Sequence, residues 1–222
     1  NEVEELLYQG LKKSGFIGDV SADTFGKVNL QSTQKVGPTI SDKLTKDAIW
    51  AVLFSLVLIF LYILVRFDSW QYGLGGVISL AHDATITMGA FSLLYGFLPF
   101  SLEIDQSFIA AVLTVIGYSI NDTVIIYDRI REYRHLYPKR GLAETMDHAM
   151  NSTLRRTFST SLTVLIVLVA IFMFGGTSIK GFTFALLIGI GIGTYSSVFN
   201  AAPIVYDTIT QSKKFKKSKQ AV

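Results

Sequence analysis

Five apolar segments dominate the chain from residue 48 onward. Each is long enough to cross a hydrocarbon core of about 30 Å as a helix. They lie near residues 48–65, 74–98, 108–127, 159–175 and 181–206. The pattern therefore predicts an all-α membrane protein in which residues 47–209 form a five-helix transmembrane bundle.

The first 46 residues follow a different pattern. Apolar residues recur at helical spacing over residues 2–14, which predicts an amphipathic helix that ends at Gly15. Phe25–Val36 is rich in polar and β-branched residues and favours a strand at a sheet edge. One helix and one strand cannot enclose a hydrophobic core. We therefore expect residues 1–46 to be a short α+β remnant, the C-terminal part of a larger external domain.

Two further patterns concern helix placement. Residues 139–156 carry apolar side chains on one face and charges on the other, which predicts a helix along the cytoplasmic interface between the third and fourth spans, with a plain linker as the alternative. In the last span, Gly189, Gly193 and Ser197 lie four residues apart. Small residues at this spacing form a smooth stripe that favours close helix packing.

Composition and charge give the orientation. Half of the 222 residues are hydrophobic and none is Cys, which excludes disulfides and thiolate metal sites. Lys and Arg are concentrated between the third and fourth spans and in the tail, residues 210–222, whereas the loops on the opposite side contain only Lys180. By the positive-inside rule, the tail is cytoplasmic and residues 1–46 are periplasmic. The tail could also attract anionic membrane lipids or bind a partner.

The start of the chain is acidic and has no features of a signal peptide. An external segment ahead of the first visible span needs an earlier element to export it. We therefore expect the chain to be a fragment of a longer protein with at least one upstream transmembrane helix.

Asp122 is the most costly residue to place, because it lies within the third apolar segment. Asn121 is its neighbour, and Tyr118 precedes it by one helical turn. The carboxylate could bind and release a proton as helices move, or it could be held in a fixed ion pair or hydrogen bond. Arg155 and Arg156 open the fourth span, where one suits the membrane boundary and the other could face Asp122 and stabilise its ionised form.

His82 and Asp83 interrupt the second span. Adjacent residues point to different faces of a helix and no third ligand is evident, so they make a poor metal site. They could form a second protonatable group or a polar contact between helices. The chain shows no phosphate-binding loop, catalytic triad or metal cluster, so we expect no catalytic site, no cofactor and no nucleic-acid partner. If the protein drives transport, the energy for that transport must then come from an ion gradient or from a partner.

Four motifs carry a resemblance to a known family. VGPTISDKL, SLAHDATITMG, GYSINDTVIIYDRIRE and NSTLRRTFSTSLTVL occur in this order and resemble the SecF family, from about Val36 to Asp207. SecF is one half of the SecDF protein-export complex, within the resistance-nodulation-division superfamily. The resemblance implies that the chain holds helices two to six of a six-helix SecF half.

The resemblance also implies a function. SecDF uses the proton-motive force to assist Sec-dependent translocation across the bacterial cytoplasmic (inner) membrane, with protons as the coupling ion. The implied partners are a SecD half, in the same or a separate chain, the SecYEG translocon and the translocating polypeptide. Asp122 matches the family's proton-coupling carboxylate, Arg156 matches the Arg that faces it, and Asp83 matches a further motif. The alternatives are a proton-driven exporter of small molecules or lipids and a structural scaffold of the translocon.

Overall fold

The fold was analysed in a computed structural model that describes residues 2–17, 20–22, 25, 38–67 and 69–220. Contacts divide the chain into two compact units, Asn1–Lys43 and Leu44–Val222. Apart from Phe25, the strand predicted at Phe25–Val36 lies outside the described residues.

The first unit contains the predicted amphipathic helix, α1, which spans Glu2–Lys13. It ends where Gly15 adopts a φ of +73°, and the Phe16 amide donates a hydrogen bond to the Leu11 carbonyl at 3.1 Å. A left-handed residue that redirects the chain in this way is a common helix terminator. Tyr8 ties the following turn to the helix, because its hydroxyl donates to the Val20 carbonyl at 2.7 Å.

Long helices form the described part of the chain from Pro38 onward. Their bounds are α2 Pro38–Phe67, α3 Trp70–Leu94, α4 Gln106–Leu136, α5 Leu142–Phe174, α6 Thr177–Ser196 and α7 Ala202–Gln220, with a π-helical turn at Ser197–Ala201. Within the described residues, five spans are long and apolar enough to cross a membrane, and the fifth runs through the π-helical turn from Thr177 to Ser212. The prediction of an all-α membrane protein with five spans is confirmed.

The segment that connects the third and fourth spans is part of a longer helix. Residues 142–156 are helical, but they continue without a break into the fourth span as the 33-residue helix α5. The predicted stretch 139–156 is thus helical from Leu142 onward, and its position along the cytoplasmic interface stays a prediction. The amphipathic stretch has no Gly or Pro to end it before the apolar run begins, so the backbone hydrogen bonds of the helix continue across the change in polarity.

Helix α4 is the centre of the bundle and packs against α3, α5 and α6. Its buried apolar residues belong to two clusters. Phe108, Val115 and Ile116 lie in the cluster nearer its start, and Ile126 and Ile130 lie in the cluster nearer its end. The intervening turn of α4 carries buried polar side chains. A polar layer thus crosses the bundle between two apolar clusters.

Close packing around α4 depends on small residues of α6. A methyl group added at Gly189 would overlap the Val115 side chain, and one added at Gly193 would lie 2.9 Å from Ser119 Cβ. Lipid tails are as apolar as side chains, so such close approach contributes much of the attraction between helices in a membrane. The stripe of small residues therefore brings the backbone of α6 directly against the polar turn of α4.

Candidate functional site

Asp122 is the buried carboxylate at the centre of the polar layer. It is 1% exposed. Ser161 Oγ of α5 donates a hydrogen bond to Asp122 Oδ2 at 3.3 Å, and Thr194 Oγ1 of α6 donates to Ser161 Oγ at 2.7 Å. The carboxylate is thereby linked through hydroxyl groups to two neighbouring helices.

Arg156 lies on α5, five residues before Ser161, and its side chain is exposed. It is the residue expected to face Asp122. In the described part of the chain, however, the two side chains form no direct ion pair within 4.0 Å. The structure thus places an exposed guanidinium on the same helix as Ser161, which is the group in contact with the buried carboxylate.

Asp83 is a second buried carboxylate and is 0% exposed. Ser119 Oγ of α4 donates to Asp83 Oδ2 at 2.7 Å. His82 Nδ1 lies 3.1 Å from Asp83 Oδ1, and the His82 side chain is 36% exposed. Ser119 precedes Asp122 by three residues, so the two side chains lie on the same face of α4. That face carries Asp122 and also contacts Asp83 through Ser119.

The side chains of the other predicted supporting residues, Asn121 and Tyr118, have surroundings different from those of Asp122. Asn121 is exposed and lines a surface cavity beside Leu58 and Tyr62 of α2. Tyr118 is half-buried and packs against the apolar cluster near the start of α4. Neither forms a hydrogen bond with Asp122 in the described structure.

Sequence reasoning missed the hydroxyl groups that connect the helices. Besides Ser161 and Thr194, Thr123 Oγ1 donates to Ser197 Oγ at 3.1 Å and joins α4 to the π-helical turn. Ser197, predicted to serve helix packing, also donates to the Gly193 carbonyl at 2.8 Å. A single Ser or Thr is common in a membrane helix and does not indicate a site. The feature that could have identified these residues is that several Ser and Thr recur on the same helical faces as the two carboxylates.

The site consists of buried carboxylates held by hydroxyl groups of neighbouring helices. Among the described residues, no three His, Asp or Glu side chains lie close enough to hold a metal ion. A buried carboxylate is far less costly when protonated than when charged. The burial of Asp122 therefore makes it the candidate proton-binding group of the site.

Comparison with known proteins confirms the resemblance to SecF. The family model for the C-terminal region of the protein export membrane proteins SecD and SecF matches residues 17–211. The protein translocase subunit SecF of Rhodothermus marinus is 52% identical over 175 residues, which are 79% of this chain and 56% of the relative. SecF of Haemophilus influenzae is 43% identical over 180 residues, 81% of this chain and 53% of the relative.

A solved structure agrees with these sequence matches. The crystal structure of SecDF, a translocon-associated membrane protein from Thermus thermophilus, matches with a TM-score of 0.70 and 41% identity over 79% of this chain and 23% of that one. The chain spans about half the length of the curated relatives that it matches. Because the family model covers most of the chain and the relatives share these identities, the chain belongs to the SecD/SecF family of protein export membrane proteins.

Proposed function

We propose that this chain is part of a proton-motive-force-coupled subunit that assists Sec-dependent protein translocation across the bacterial cytoplasmic membrane. Relatives that are 43–52% identical are named protein translocase subunits, which supports the export role. The observation that carries the coupling role is Asp122, a carboxylate that is 1% exposed and has one hydrogen-bond donor at 3.3 Å.

The proposed coupling uses the charge of Asp122. When the carboxyl group is ionised, it attracts the Arg156 guanidinium and needs polar contacts. When it is protonated, it needs only a hydrogen bond such as the one from Ser161. The two states favour different placements of α5 relative to α4, so proton binding shifts the equilibrium between two arrangements of the bundle. A membrane potential of 100 mV supplies about 2.3 kcal/mol for each charge that crosses, enough to bias such an equilibrium.

The proposal includes partners and an orientation. The solved SecDF structure with which this chain aligns supports a SecD-type half as the packing partner. The SecYEG translocon and the translocating polypeptide are further partners. Residues 1–46 are periplasmic, the interfacial stretch 139–156 and the basic tail 210–222 are cytoplasmic, and Asp83 is a second polar group of the coupling region.

Asp122→Asn in the full-length protein, within its native complex, tests the coupling role. The amide keeps the size of the side chain but cannot take up and release a proton. We expect normal membrane levels and loss of the proton-dependent part of export, measured in inverted membrane vesicles with and without a proton gradient. Glu132→Gln is the matched control, because Glu132 lies on the same helix but is exposed and pairs with Arg129 at 2.8 Å. Proton-dependent export that persists at its normal rate in Asp122→Asn would contradict the proposal.

A further inference from the structure

Thr157 of α5 has an unusual environment. Its residue exposure is 2%, and its Oγ1 is the one buried side-chain polar atom of the described residues that has no hydrogen-bond partner. A buried hydroxyl group without a partner costs about 1–3 kcal/mol. Such groups are rare in native proteins and often mark a bound water or a functional role.

Its position on α5 connects it with Asp122. Thr153, Thr157 and Ser161 are buried and lie four residues apart, so they follow one face of the helix, with neighbouring Cβ atoms about 5–6 Å apart. The Thr153 hydroxyl donates to the Met150 carbonyl at 2.8 Å, and the Ser161 hydroxyl donates to Asp122. Thr157, between them, keeps both its donor and its acceptor unused.

A charged residue adjoins this position, just ahead of the apolar run of α5. Arg156 directly precedes Thr157 and is exposed. Thr157 therefore occupies the turn of α5 between an exposed guanidinium and the serine that contacts the buried carboxylate. A group that must exchange protons with solvent needs a polar connection to it, because proton transfer requires hydrogen-bond distance or a single intervening water.

We propose that Thr157 binds a water molecule that carries protons between Asp122 and the exposed surface at Arg156. This inference rests on the proposed function, in which Asp122 takes up and releases protons. On release, the O–H bond of the carboxyl group breaks and a new O–H bond forms to the water, which becomes hydronium. The hydronium passes a proton to solvent and becomes water again. Thr157 stays neutral throughout, and it positions the water by accepting or donating one hydrogen bond.

The chemistry of the position favours water over a metal ion. Hard cations require several oxygen ligands, whereas Thr157 offers one neutral oxygen. A water molecule needs two to four polar partners. Three groups are of the required kind: the unused Thr157 hydroxyl, the Ser161 hydroxyl one turn further along α5, and the Asp122 carboxylate that Ser161 contacts.

The test compares Thr157→Val with Thr157→Ser in the full-length protein within its native complex, reconstituted in proteoliposomes. Valine matches the shape of threonine but lacks the hydroxyl, and serine retains it. We expect Thr157→Val to slow proton uptake and proton-dependent export by about fivefold, the effect of one hydrogen bond, and Thr157→Ser to retain at least half of the rate. Thr153→Val is the control and should leave proton uptake unchanged, because that hydroxyl bonds to its own helix.

The alternative predicts the opposite result. If the hydroxyl has no partner, Thr157→Val removes an unfavourable buried polar group, so the protein becomes more stable and proton uptake keeps its normal rate, which would overturn the proposal. Equal loss of rate in the valine and serine variants would also overturn it, because shape and not the hydroxyl would then matter. If valine prevents membrane insertion, Thr157→Ala replaces it in the comparison with serine. Asp122→Asn, measured in parallel, separates the two proposals. Normal proton-dependent export in Asp122→Asn would refute the coupling role. Loss of export in Asp122→Asn, together with normal export in Thr157→Val, would refute only the water site.

Discussion

Gly193→Ala should weaken the contact between α4 and α6 and disturb Asp83. The added methyl group would lie 2.9 Å from Ser119 Cβ, 3.0 Å from Ser119 Oγ and 3.6 Å from Asp83 Oδ2. Contacts as short as the first two force the neighbouring atoms to move. Because Ser119 Oγ is the group that donates to Asp83 at 2.7 Å, its movement breaks or lengthens that hydrogen bond.

The expected loss of stability follows from three effects. Overpacking of a close contact costs about 1–3 kcal/mol. Removal of the donor from a buried acceptor costs about 1–3 kcal/mol. Alanine favours a helix over glycine by about 1 kcal/mol, which offsets part of the loss. At the midpoints of these ranges, the free energy of unfolding falls by about 3 kcal/mol.

Gly191→Ala is a matched control for this change. Gly191 lies on the same helix, two residues away, and a methyl group there would meet nothing within 4 Å. Both variants gain the same helix propensity, so the difference between them isolates the contact with Ser119. Thermal unfolding in detergent, followed by circular dichroism and by the fluorescence of the two tryptophans, measures it. Equal unfolding temperatures in the two variants would refute the packing argument.

Two further predictions concern individual contacts. Ser119→Ala should lower the free energy of unfolding by about 2 kcal/mol, since it leaves the buried Asp83 without its donor at 2.7 Å. Thr114→Ala removes an exposed hydroxyl that bonds to its own helix, so it should change the free energy of unfolding far less. Similar losses in the two variants would contradict this reasoning. Arg66 pairs with Asp128 at 2.9 Å, but both side chains are 38% exposed. A double-mutant cycle on this pair should give a coupling energy below about 1 kcal/mol that falls as salt is added, and a larger, salt-insensitive value would count against it.

The sequence was a good guide to the spans but a poor guide to where helices end. Apolar runs reveal the part of a helix that faces lipid, whereas a helix itself can continue into charged sequence. Helix α4 was predicted near 108–127 but reaches Leu136, past Asp128 and Arg131. The salt bridge between Arg131 and Asp128, three residues apart, is compatible with continued helix. The same effect joined residues 142–156 to the fourth span in α5.

Partners of the buried carboxylates could not be predicted, because they are distant in sequence. Asp122 was identified because a carboxylate within a membrane span has a high free-energy cost. Its partner Ser161, however, lies 39 residues further along the chain. Ser119, the donor to Asp83, lies 36 residues away from it. The register between two packed helices decides such contacts. That register depends on how glycines such as Gly193 admit a neighbour, and the pattern of one helix alone does not contain it.

The two buried carboxylates are held differently, and this difference separates their roles in the proposed coupling. Asp83 has a partner at each oxygen: Ser119 at 2.7 Å, which joins α3 to α4, and His82 at 3.1 Å, which lies beside it on α3. Asp122 has one donor, Ser161 of α5, at 3.3 Å. A small shift of α5 would therefore change the environment of Asp122 while the bond between α3 and α4 stays intact. Since Ser119 and Asp122 share one face of α4, the proposed coupling assigns the shorter contact to holding that helix in place and the longer contact to the response to the proton.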